Sequence, residues 1–337
     1  MKILFDHSNP FLLAHGGFQI QIEETKRALE GRDVAVEYMR WWDDEQKGDI
    51  IHFFGRPAGA YVDLAHKKDI RVVMSELLTG LGSRSEAAVA MQQLIIRLAR
   101  NCIPPAFWAK MGWDVYAKAD RIVALTSWEA ELMQRVFSAP RERIVVIPNG
   151  VSDEFLTAGQ SNATRGKYLV CTATITERKR VLETAQAAIQ AETPLWAIGK
   201  SYTETEGYAQ QFFALAKRYP NIIRYEGPLQ DRHRLARVYR QARGFVLLSS
   251  MESLSLSALE AAACGCPLLL SDLPWARTVF ASGAMYCSPT SVAGTAKILR
   301  EFYDGAPHTK IPPKPLSWIE VAGQLKEIYE QLLSTSR

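Results

Sequence analysis

The chain has 337 residues, of which 47% are hydrophobic and 23% are charged, and its formal net charge is +4 at pH 7. This composition is typical of a folded globular protein and excludes disordered, collagen-like and coiled-coil classes. The positive excess falls in the second half, because basic and acidic residues balance over residues 1–150. It is too small for a nucleic-acid surface, but it suits a local site for a small anion.

The first residues predict a buried strand rather than a secretory leader, because Asp6 interrupts the apolar run that follows Met1. No apolar run reaches the roughly 18 residues of a membrane span. We therefore expect a cytoplasmic protein. The five cysteines lack the spacing of zinc ligands, which predicts free and mostly buried thiols. They are Cys102, Cys171, Cys264, Cys266 and Cys287.

Short apolar runs alternate with amphipathic stretches through the first half. The predicted strands are Lys2–Asp6, Asp33–Tyr38, Asp49–Phe54, Arg71–Ser75, Arg121–Leu125 and Arg143–Ile147. The predicted helices are Gly17–Glu30 and Ser127–Phe137, the second with Ser127 as its N-cap. Runs such as residues 50–54 are apolar almost throughout, which is typical of parallel strands covered on both faces.

A turn at residues 148–150 and a polar stretch over 153–166, read as a linker, interrupt this alternation. The second half then repeats it. Its predicted strands are Tyr168–Thr172, Leu195–Ile198, Ile222–Tyr225, Gly244–Leu248 and Pro267–Ser271. Its predicted helices are Lys179–Ala191, Tyr208–Tyr219, Leu235–Ala242, Leu256–Ala263 and Ser317–Leu333.

Alternation of strands and helices at this period predicts an α/β protein with two doubly wound, Rossmann-like domains that face a central cleft. The predicted boundaries are 1–152 for the first domain, 153–315 for the second, and 316–337 for a terminal helix that crosses back to the first. The sequence lacks the dinucleotide-binding glycine fingerprint, the P-loop, the nucleophile elbow and a D-x-D metal motif. Their absence disfavours redox, ATPase, hydrolase and metal-dependent chemistry.

Two segments suit the binding of an anion. Gly16 and Gly17 open a predicted helix, where free N–H groups and the absence of side chains admit a ligand; a plain turn is the alternative. Arg178, Lys179 and Arg180 follow a strand and begin a predicted helix, where their charge opposes the helix dipole. They can grip a diphosphate, or they can form a solvated cluster of charges.

A third segment runs from Glu252 to Glu260, after a buried strand. Its serines offer helix caps, and the N–H groups at the start of the helix suit an anion. Glu252 should lie in the loop before the helix, and Glu260 inside it. Two carboxylates beside an anion site suit the hydroxyl groups of a sugar, although an exposed surface glutamate is the alternative for each.

Together these features resemble the GT-B-fold glycosyltransferases of family four, the retaining class that uses nucleotide sugars. The E-x7-E spacing of Glu252 and Glu260 carries most of the resemblance, together with the Ala-rich, Cys-Gly-x-Pro continuation to Pro267. Further motifs of the family match the turn at 148–151, the glycines at 16 and 17, and Lys179. Thr174 stands where the family commonly has an arginine, and Arg178 is the neighbouring candidate to supply that charge.

The resemblance implies a role for each candidate. Arg178 and Lys179 would neutralise the donor diphosphate, while Glu252 and Glu260 would bind the hydroxyl groups of the sugar and the ribose. The remaining donor-binding candidates are Gly16, Gly17, Thr174, Ser255, Leu256 and Ser257. His15 and Glu76 are candidates for contact with the acceptor. The resemblance implies no cofactor and no metal ion.

The predicted partners are a nucleotide-sugar donor and a glycan, lipid-linked or small-molecule acceptor, with no nucleic acid. Residues 84–121 mix apolar, aromatic and basic side chains, which predicts a peripheral contact with a membrane; packing within the domain is the alternative. Two other functions remain open at this point. One is a sugar-nucleotide epimerase of the same fold, and the other is a binding protein that holds a nucleotide sugar without catalysis.

Overall fold

The computed structural model describes residues 1–12, 16–100, 112–157, 165–203 and 205–334. Two compact units divide the chain: residues 1–149 with the segment from Trp318 onward form the first unit, and Gly150–Ser317 form the second. Among the described residues, no helix combines the length and the apolarity that crossing a membrane would require.

The described part of the first unit is a six-stranded parallel sheet flanked by helices. Its strands are β1 (Lys2–His7), β2 (Ala35–Tyr38), β3 (Ile50–Phe54), β4 (Arg71–Ser75), β5 (Arg121–Ala124) and β6 (Ile144–Val146). Its helices up to this point are α1 (Gly17–Glu30), α2 (Gly59–Lys67), α3 (Thr79–Gly82), α4 (Glu86–Arg100), α5 (Val115–Lys118) and α6 (Ser127–Phe137). The strand order is β2-β1-β3-β4-β5-β6.

The second unit has a parallel sheet of the same size over the residues described. Its strands are β7 (Leu169–Thr172), β8 (Leu195–Ile198), β9 (Ile223–Tyr225), β10 (Gly244–Leu247), β11 (Leu268–Ser271) and β12 (Met285–Cys287). Its helices are α7 (Asp153–Leu156), α8 (Val181–Gln190), α9 (Gly207–Arg218), α10 (Arg232–Gln241), α11 (Leu256–Ala263), α12 (Pro274–Phe280) and α13 (Val292–Gly305). The strand order is β12-β11-β10-β7-β8-β9, and the final helix of the chain, α14 (Trp318–Ser334), belongs to the first unit.

Burial on both faces accounts for the strand sequences. All five residues of β3 are buried, as are all four of β10 and of β11. Parallel registers such as Leu4 opposite Ile51 in the first sheet and Leu169 opposite Leu195 in the second align these apolar runs. Helices cover both faces of such sheets, so the strands read as continuous apolar runs.

The N-cap of α6 and the linker were predicted wrongly, and strand β12 was not predicted. The N-cap of α6 is Thr126, whose hydroxyl accepts from the N–H of Glu129, while Ser127 is the first helical residue. The predicted linker over 153–166 begins with α7, because Phe155 is buried beside Tyr239. Strand β12 escaped prediction because three residues are too few to show a periodicity.

The strand order fixes where each sheet can receive a ligand. In open parallel sheets, ligands bind beyond the carboxyl ends of the strands, at the point where the order of the connections reverses. That point lies between β1 and β3 in the first unit, and between β7 and β10 in the second. The segments after these four strands are therefore the places where functional side chains are expected.

A buried histidine joins the final helix to the first sheet. His52, in β3, forms hydrogen bonds through Nδ1 with the Tyr329 hydroxyl (2.6 Å) and through Nε2 with the Ser75 hydroxyl (2.7 Å). Burial lowers the pKa of His52 to about 3, so the imidazole is neutral in the folded protein at neutral pH. A small cavity of about 20 Å³ beside this cluster is also lined by Gln21 and Asn149.

We expect the stability of the first unit to fall as the pH is lowered from about 6.5 towards 3. The unfolded histidine takes up a proton in this range, whereas the folded one stays neutral, so protonation favours unfolding. The expected contribution of His52 is at most about 1.4 kcal/mol per pH unit. Urea unfolding at several pH values, compared between the wild type and His52→Gln, measures it; equal slopes for both proteins would contradict it.

Candidate functional site

A cluster of charges lies at the switch point of the second sheet. Glu252 stands in the loop after β10 and is only 6% exposed. Its Oε1 accepts a hydrogen bond from the ammonium group of Lys179 and lies 3.3 Å from Nη1 of Arg178. Both cations belong to the segment that follows β7, so the ends of two neighbouring strands bring the three residues together.

Hydrogen bonds along the backbone hold these two segments against each other. The carbonyl of Arg178 accepts from the N–H of Ser250 (2.8 Å) and from its hydroxyl (3.2 Å). Arg178 Nη1 in turn donates to the carbonyl of Met251 at 2.9 Å. The position of Arg178 is therefore fixed by main-chain contacts as well as by Glu252.

The basic segment does not begin α8, contrary to the sequence prediction. Residues 177–179 form a separate 3₁₀ turn, Arg180 adopts a left-handed backbone with φ of 51°, and the helix starts at Val181. Arg180 directs its guanidinium to the carbonyl of Pro289, at 3.0 Å. Only two of the three basic side chains therefore meet Glu252, and they do so ahead of the helix rather than on its first turn.

Glu260 is the second carboxylate of the E-x7-E pair. It lies inside α11, is 7% exposed, and accepts a hydrogen bond from Nη2 of Arg232 at 3.1 Å. Arg232 also donates to the hydroxyl of Ser152 and stacks over the ring of Phe155. Glu252 and Glu260 are thus both buried and ion-paired, and the interpretation as exposed surface glutamates does not apply.

The start of α11 supplies further N–H donors. Ser255 is the N-cap, as predicted, and its hydroxyl accepts from the N–H of Ala258 at 3.4 Å. The backbone N–H groups of Leu256 and Ser257 occupy the first two positions of the helix, where no partner exists within the helix itself. Ser257 also contacts the Ser255 hydroxyl through its own hydroxyl, at 3.1 Å.

The two glycines of the first unit lie at the start of α1. Gly16 is the N-cap, with φ of 142°, a conformation that other residues rarely adopt, and the helix begins at Gly17. A Cβ at Gly16 would meet no atom within 4 Å, so its backbone conformation, rather than crowding, requires glycine. The first turn of α1 contains no acidic residue, which leaves the positive end of the helix dipole uncompensated there.

Glu76 follows β4 and belongs to a second charged cluster. Its carboxylate accepts from Arg56 Nε at 2.9 and 3.0 Å and from the hydroxyl of Tyr116. The Arg56 guanidinium lies over the ring of Phe137 at 4.7 Å. Burial and the charge of Glu76 raise the pKa of Tyr116 above its usual range, which keeps the phenol protonated as a donor.

The remaining candidates are Thr174, His15 and the cysteines. Thr174 is half-buried in the segment after β7, and His15 lies outside the described residues. Cys171, Cys264, Cys266 and Cys287 are free thiols, as predicted, and Cys102 lies outside the described residues. Burial raises the pKa of Cys171 to about 12, which keeps this thiol protonated at neutral pH. Over the ranges described, no cluster of three or more His, Cys, Asp or Glu side chains could hold a metal ion.

Comparison with known families identifies both halves of the chain. Residues 27–150 match the family described as "Glycosyl transferase 4-like domain", and residues 158–314 match "Glycosyl transferases group 1". The chain belongs to the group 1 glycosyltransferases. The charged cluster at Glu252, the Glu260–Arg232 pair and the start of α11 all lie within the group 1 match.

Named relatives agree with this assignment. The D-inositol 3-phosphate glycosyltransferase of Stackebrandtia nassauensis is 25% identical, with 80% of this glycosyltransferase and 74% of the relative covered. The GDP-mannose:cellobiosyl-diphosphopolyprenol alpha-mannosyltransferase of Xanthomonas oryzae pv. oryzae is 29% identical over 160 residues, covering 46% and 40% of the two chains. Several relatives are matched over less than half of their own length.

Two solved structures superpose on nearly the whole glycosyltransferase. Sucrose-phosphate synthase from Thermosynechococcus elongatus superposes with a TM-score of 0.72 at 17% identity, and 99% of each chain is covered. Anabaena HepE in complex with UDP superposes with a TM-score of 0.68 at 14% identity, covering 98% of this chain and 100% of HepE. At such identities the likeness concerns the fold, and it confirms the predicted α/β GT-B architecture.

Sequence reasoning missed two arginines of these clusters. Arg232 is the first residue of α10, directly after the N-cap Asp231, and Arg56 follows Gly55 at the end of β3. A basic residue just beyond a buried strand is a usable signal for Arg56. No local pattern identifies Arg232, because its partner Glu260 lies 28 residues further along the chain.

Proposed function

We propose that this glycosyltransferase transfers a sugar from a nucleoside diphosphate sugar, with retention of configuration and without a metal ion, to a glycan, lipid-linked or small-molecule acceptor. One observation carries the proposal. Two cations, Lys179 and Arg178, meet a buried carboxylate, Glu252, at the switch point of the second sheet. A diphosphate needs such a pair of cations, and a sugar needs such an acceptor of hydrogen bonds.

In this proposal the second unit holds the donor. Lys179 and Arg178 neutralise the diphosphate, and both have hydrogen-bond donors beyond those that Glu252 engages. The N–H groups of Leu256 and Ser257 stabilise the charge that develops on the leaving phosphate. Glu252 accepts hydrogen bonds from sugar hydroxyls and orients Lys179, and Glu260 binds the ribose. Gly16, Gly17 and Thr174 remain proposed donor contacts.

The proposed chemistry is a same-face displacement. The bond between the anomeric carbon and the phosphate oxygen breaks, while the acceptor oxygen bonds to the anomeric carbon from the same side. The acceptor proton passes to an oxygen of the departing diphosphate, so no side-chain base is required. Lys179 and Arg178 neutralise the negative charge of the diphosphate that a metal ion would otherwise offset.

Relatives and structural neighbours support the two kinds of substrate. HepE was solved with UDP and also with UDP-glucose, and the printed names of relatives include a GDP-mannose-dependent enzyme and inositol phosphate glycosyltransferases. For this chain we infer a nucleoside diphosphate sugar as the donor, without a choice of base. The acceptor is assigned to the first unit, with Glu76 and its partner Arg56 as candidate contacts.

A peripheral membrane contact is also part of the proposal. In α4, Met91, Leu94, Ile95 and Leu98 are exposed at helical spacing, and they form one apolar face within the stretch 84–121 that the sequence analysis identified. Arg97 is exposed beside this face. An apolar face flanked by a basic residue suits the surface of an anionic membrane that carries a lipid-linked acceptor.

A thermal-melt screen of the full chain tests the donor site. UDP, GDP, ADP and CMP, each alone and then as sugar conjugates, are added with EDTA and separately with magnesium. We expect at least one nucleoside diphosphate to raise Tm by a few degrees at about a hundred times its dissociation constant, equally with and without magnesium. A response that requires magnesium would contradict metal independence, and no response to any nucleotide would contradict the donor site.

A further inference from the structure

Two adjacent tryptophans follow β2 in the first unit, and both are largely exposed. Trp41 is 75% exposed and Trp42 is 82% exposed. Burying an indole removes a large apolar area from water, so tryptophan is highly buried on average in folded proteins. Two exposed indoles in succession therefore indicate a surface that is covered by something else when the protein works.

Side-chain hydrogen bonds hold the loop that carries the two tryptophans. Arg40 Nη1 donates to Glu37 (2.9 Å) and Arg40 Nε donates to Asp43 (2.9 Å). Gln46 accepts from the N–H of Arg40 at 2.8 Å and donates to the carbonyl of Tyr38 at 3.0 Å. These bonds hold the backbone on both sides of the two tryptophans, which lowers the backbone entropy that binding would cost.

The position of the pair connects it with the first switch point. The indole N–H of Trp41 donates to Oδ1 of Asp6 at 3.3 Å, and Asp6 is a buried residue of β1 near its carboxyl end. The other oxygen of Asp6 accepts from the hydroxyl of Tyr61 at 2.6 Å. Because β1 and β3 flank the switch point, Trp41 borders the edge of the sheet where a ligand of this unit is expected.

We propose that Trp41 and Trp42 form a saccharide-binding platform that holds the acceptor glycan of this enzyme. The inference rests on the proposed function and names its acceptor as a carbohydrate of at least two sugar residues, one for each ring. A pyranose presents a face of C–H groups that packs flat on an indole. Its hydroxyl groups point outward from the edge of the ring and need polar partners.

The residues that follow the two rings favour a saccharide over a lipid surface. Asp43 is engaged by Arg40, while Asp44 and Glu45 are exposed beside the tryptophans. Exposed carboxylates accept hydrogen bonds from sugar hydroxyls, and they repel the negative charge of an anionic bilayer. This loop therefore differs from the apolar face of α4, which has a basic residue at its side.

The test measures binding of neutral oligosaccharides to the full chain. Maltotetraose, cellotetraose, mannotetraose and chitotetraose are titrated in a calorimeter, and tryptophan fluorescence is recorded in parallel. We expect at least one of them to bind, Trp42→Ala to weaken that binding about tenfold or more, and Trp42→Phe to retain most of it. Trp42 is the first choice because, unlike Trp41, it makes no hydrogen bond to Asp6.

Ile311→Ala, which removes an exposed apolar side chain from the second unit, is the matched control and should bind as the wild type does. Asp44→Asn tests the carboxylate and should weaken binding without altering Tm. Failure of all four oligosaccharides to bind overturns the inference, as does equal binding by Trp42→Ala. Binding to phosphatidylglycerol vesicles that Trp42→Ala abolishes, without saccharide binding, also overturns it.

The nucleotide titration separates this inference from the proposed function. If a nucleoside diphosphate binds and sugar is transferred, but no saccharide binding depends on Trp42, only the platform is refuted. If oligosaccharides bind through Trp42 while no nucleotide binds and no donor is consumed, saccharide binding at this loop is confirmed, and the proposed transfer is refuted together with the role of the loop in holding an acceptor.

Discussion

Glu252→Gln is expected to lower the turnover of glycosyl transfer by about a hundredfold to a thousandfold, with little change in Tm. The amide keeps the size of the carboxylate and can still accept a hydrogen bond from Lys179, but it carries no charge. In the proposed mechanism the neutral amide is a weaker hydrogen-bond acceptor for the sugar hydroxyls than the carboxylate. It therefore stabilises the sugar less while the bond to the phosphate breaks. Removing one preorganised hydrogen-bond donor from an oxyanion site costs about 2.7–4 kcal/mol, and we expect the loss of this acceptor to be of the same order.

The choice of glutamine matters because of the burial of this site. Glu252→Ala would leave the mostly buried ammonium of Lys179 without its carboxylate, and removing one partner of a buried pair destabilises a protein by about 3–5 kcal/mol. A loss of activity in the alanine variant would then mix catalysis with folding. The glutamine variant separates the two when turnover, Tm and the affinity for nucleotide are measured on the same preparation.

Glu226→Gln is the matched control for this experiment. Glu226 lies after β9 in the same unit and pairs with Arg224 and Arg234 at its surface, away from the switch point. We expect this variant to keep the turnover of the wild type. Near-normal turnover in Glu252→Gln would refute the role assigned to Glu252, and an equal loss in both variants would point to a general effect of removing charge.

Lys179→Ala is expected to weaken the binding of nucleoside diphosphates by about tenfold to a hundredfold. Hydrogen bonds between ionised groups contribute roughly 1.5–3 kcal/mol, and each 1.4 kcal/mol corresponds to a factor of ten in affinity. The affinity for the nucleoside without phosphates should change little, because Lys179 is proposed to contact the diphosphate alone. Isothermal titration with both ligands gives the two dissociation constants.

Two further measurements distinguish a diphosphate contact from a structural effect. Lys217→Ala, at an exposed position near the end of α9, is the control and should bind nucleotide normally. In Lys179→Ala the Glu252 carboxylate keeps Arg178 as its only described cation. The double variant Lys179→Ala with Glu252→Gln removes this under-compensated charge, so Tm should recover in part while the diphosphate affinity stays low. Wild-type affinity for nucleoside diphosphates in Lys179→Ala would contradict the proposed donor site.

Local sequence patterns predicted much of the secondary structure. Helices α1, α6 and α11 begin and end at the predicted residues, and most predicted strands differ from the observed ones by one or two residues at an end. The reason is physical: a strand buried on both faces must be apolar throughout, and a helix with one buried face must repeat its apolar residues every three or four positions. Such constraints act within a few residues.

The candidate site was predicted as a set of segments rather than as a set of contacts. The E-x7-E spacing identified Glu252 and Glu260, and the strand before each segment indicated a position at the carboxyl edge of a sheet. What the sequence could not supply was the partner of each charge. Lys179 and Glu252 are 73 residues apart, and their pairing depends on β7 and β10 lying side by side.

The tertiary structure alone decided the remaining contacts. His52 meets Tyr329 across 277 residues because the final helix belongs to the first unit, and Arg56 meets Tyr116 across 60 residues through the order of β3, β4 and β5. Hydrogen bonds and ion pairs between distant segments depend on the order of the strands and on the connections that cross over the sheet. That order is established only when the whole sheet packs and is buried. A local pattern fixes which residues are buried, whereas only the packed sheet fixes which buried charges meet.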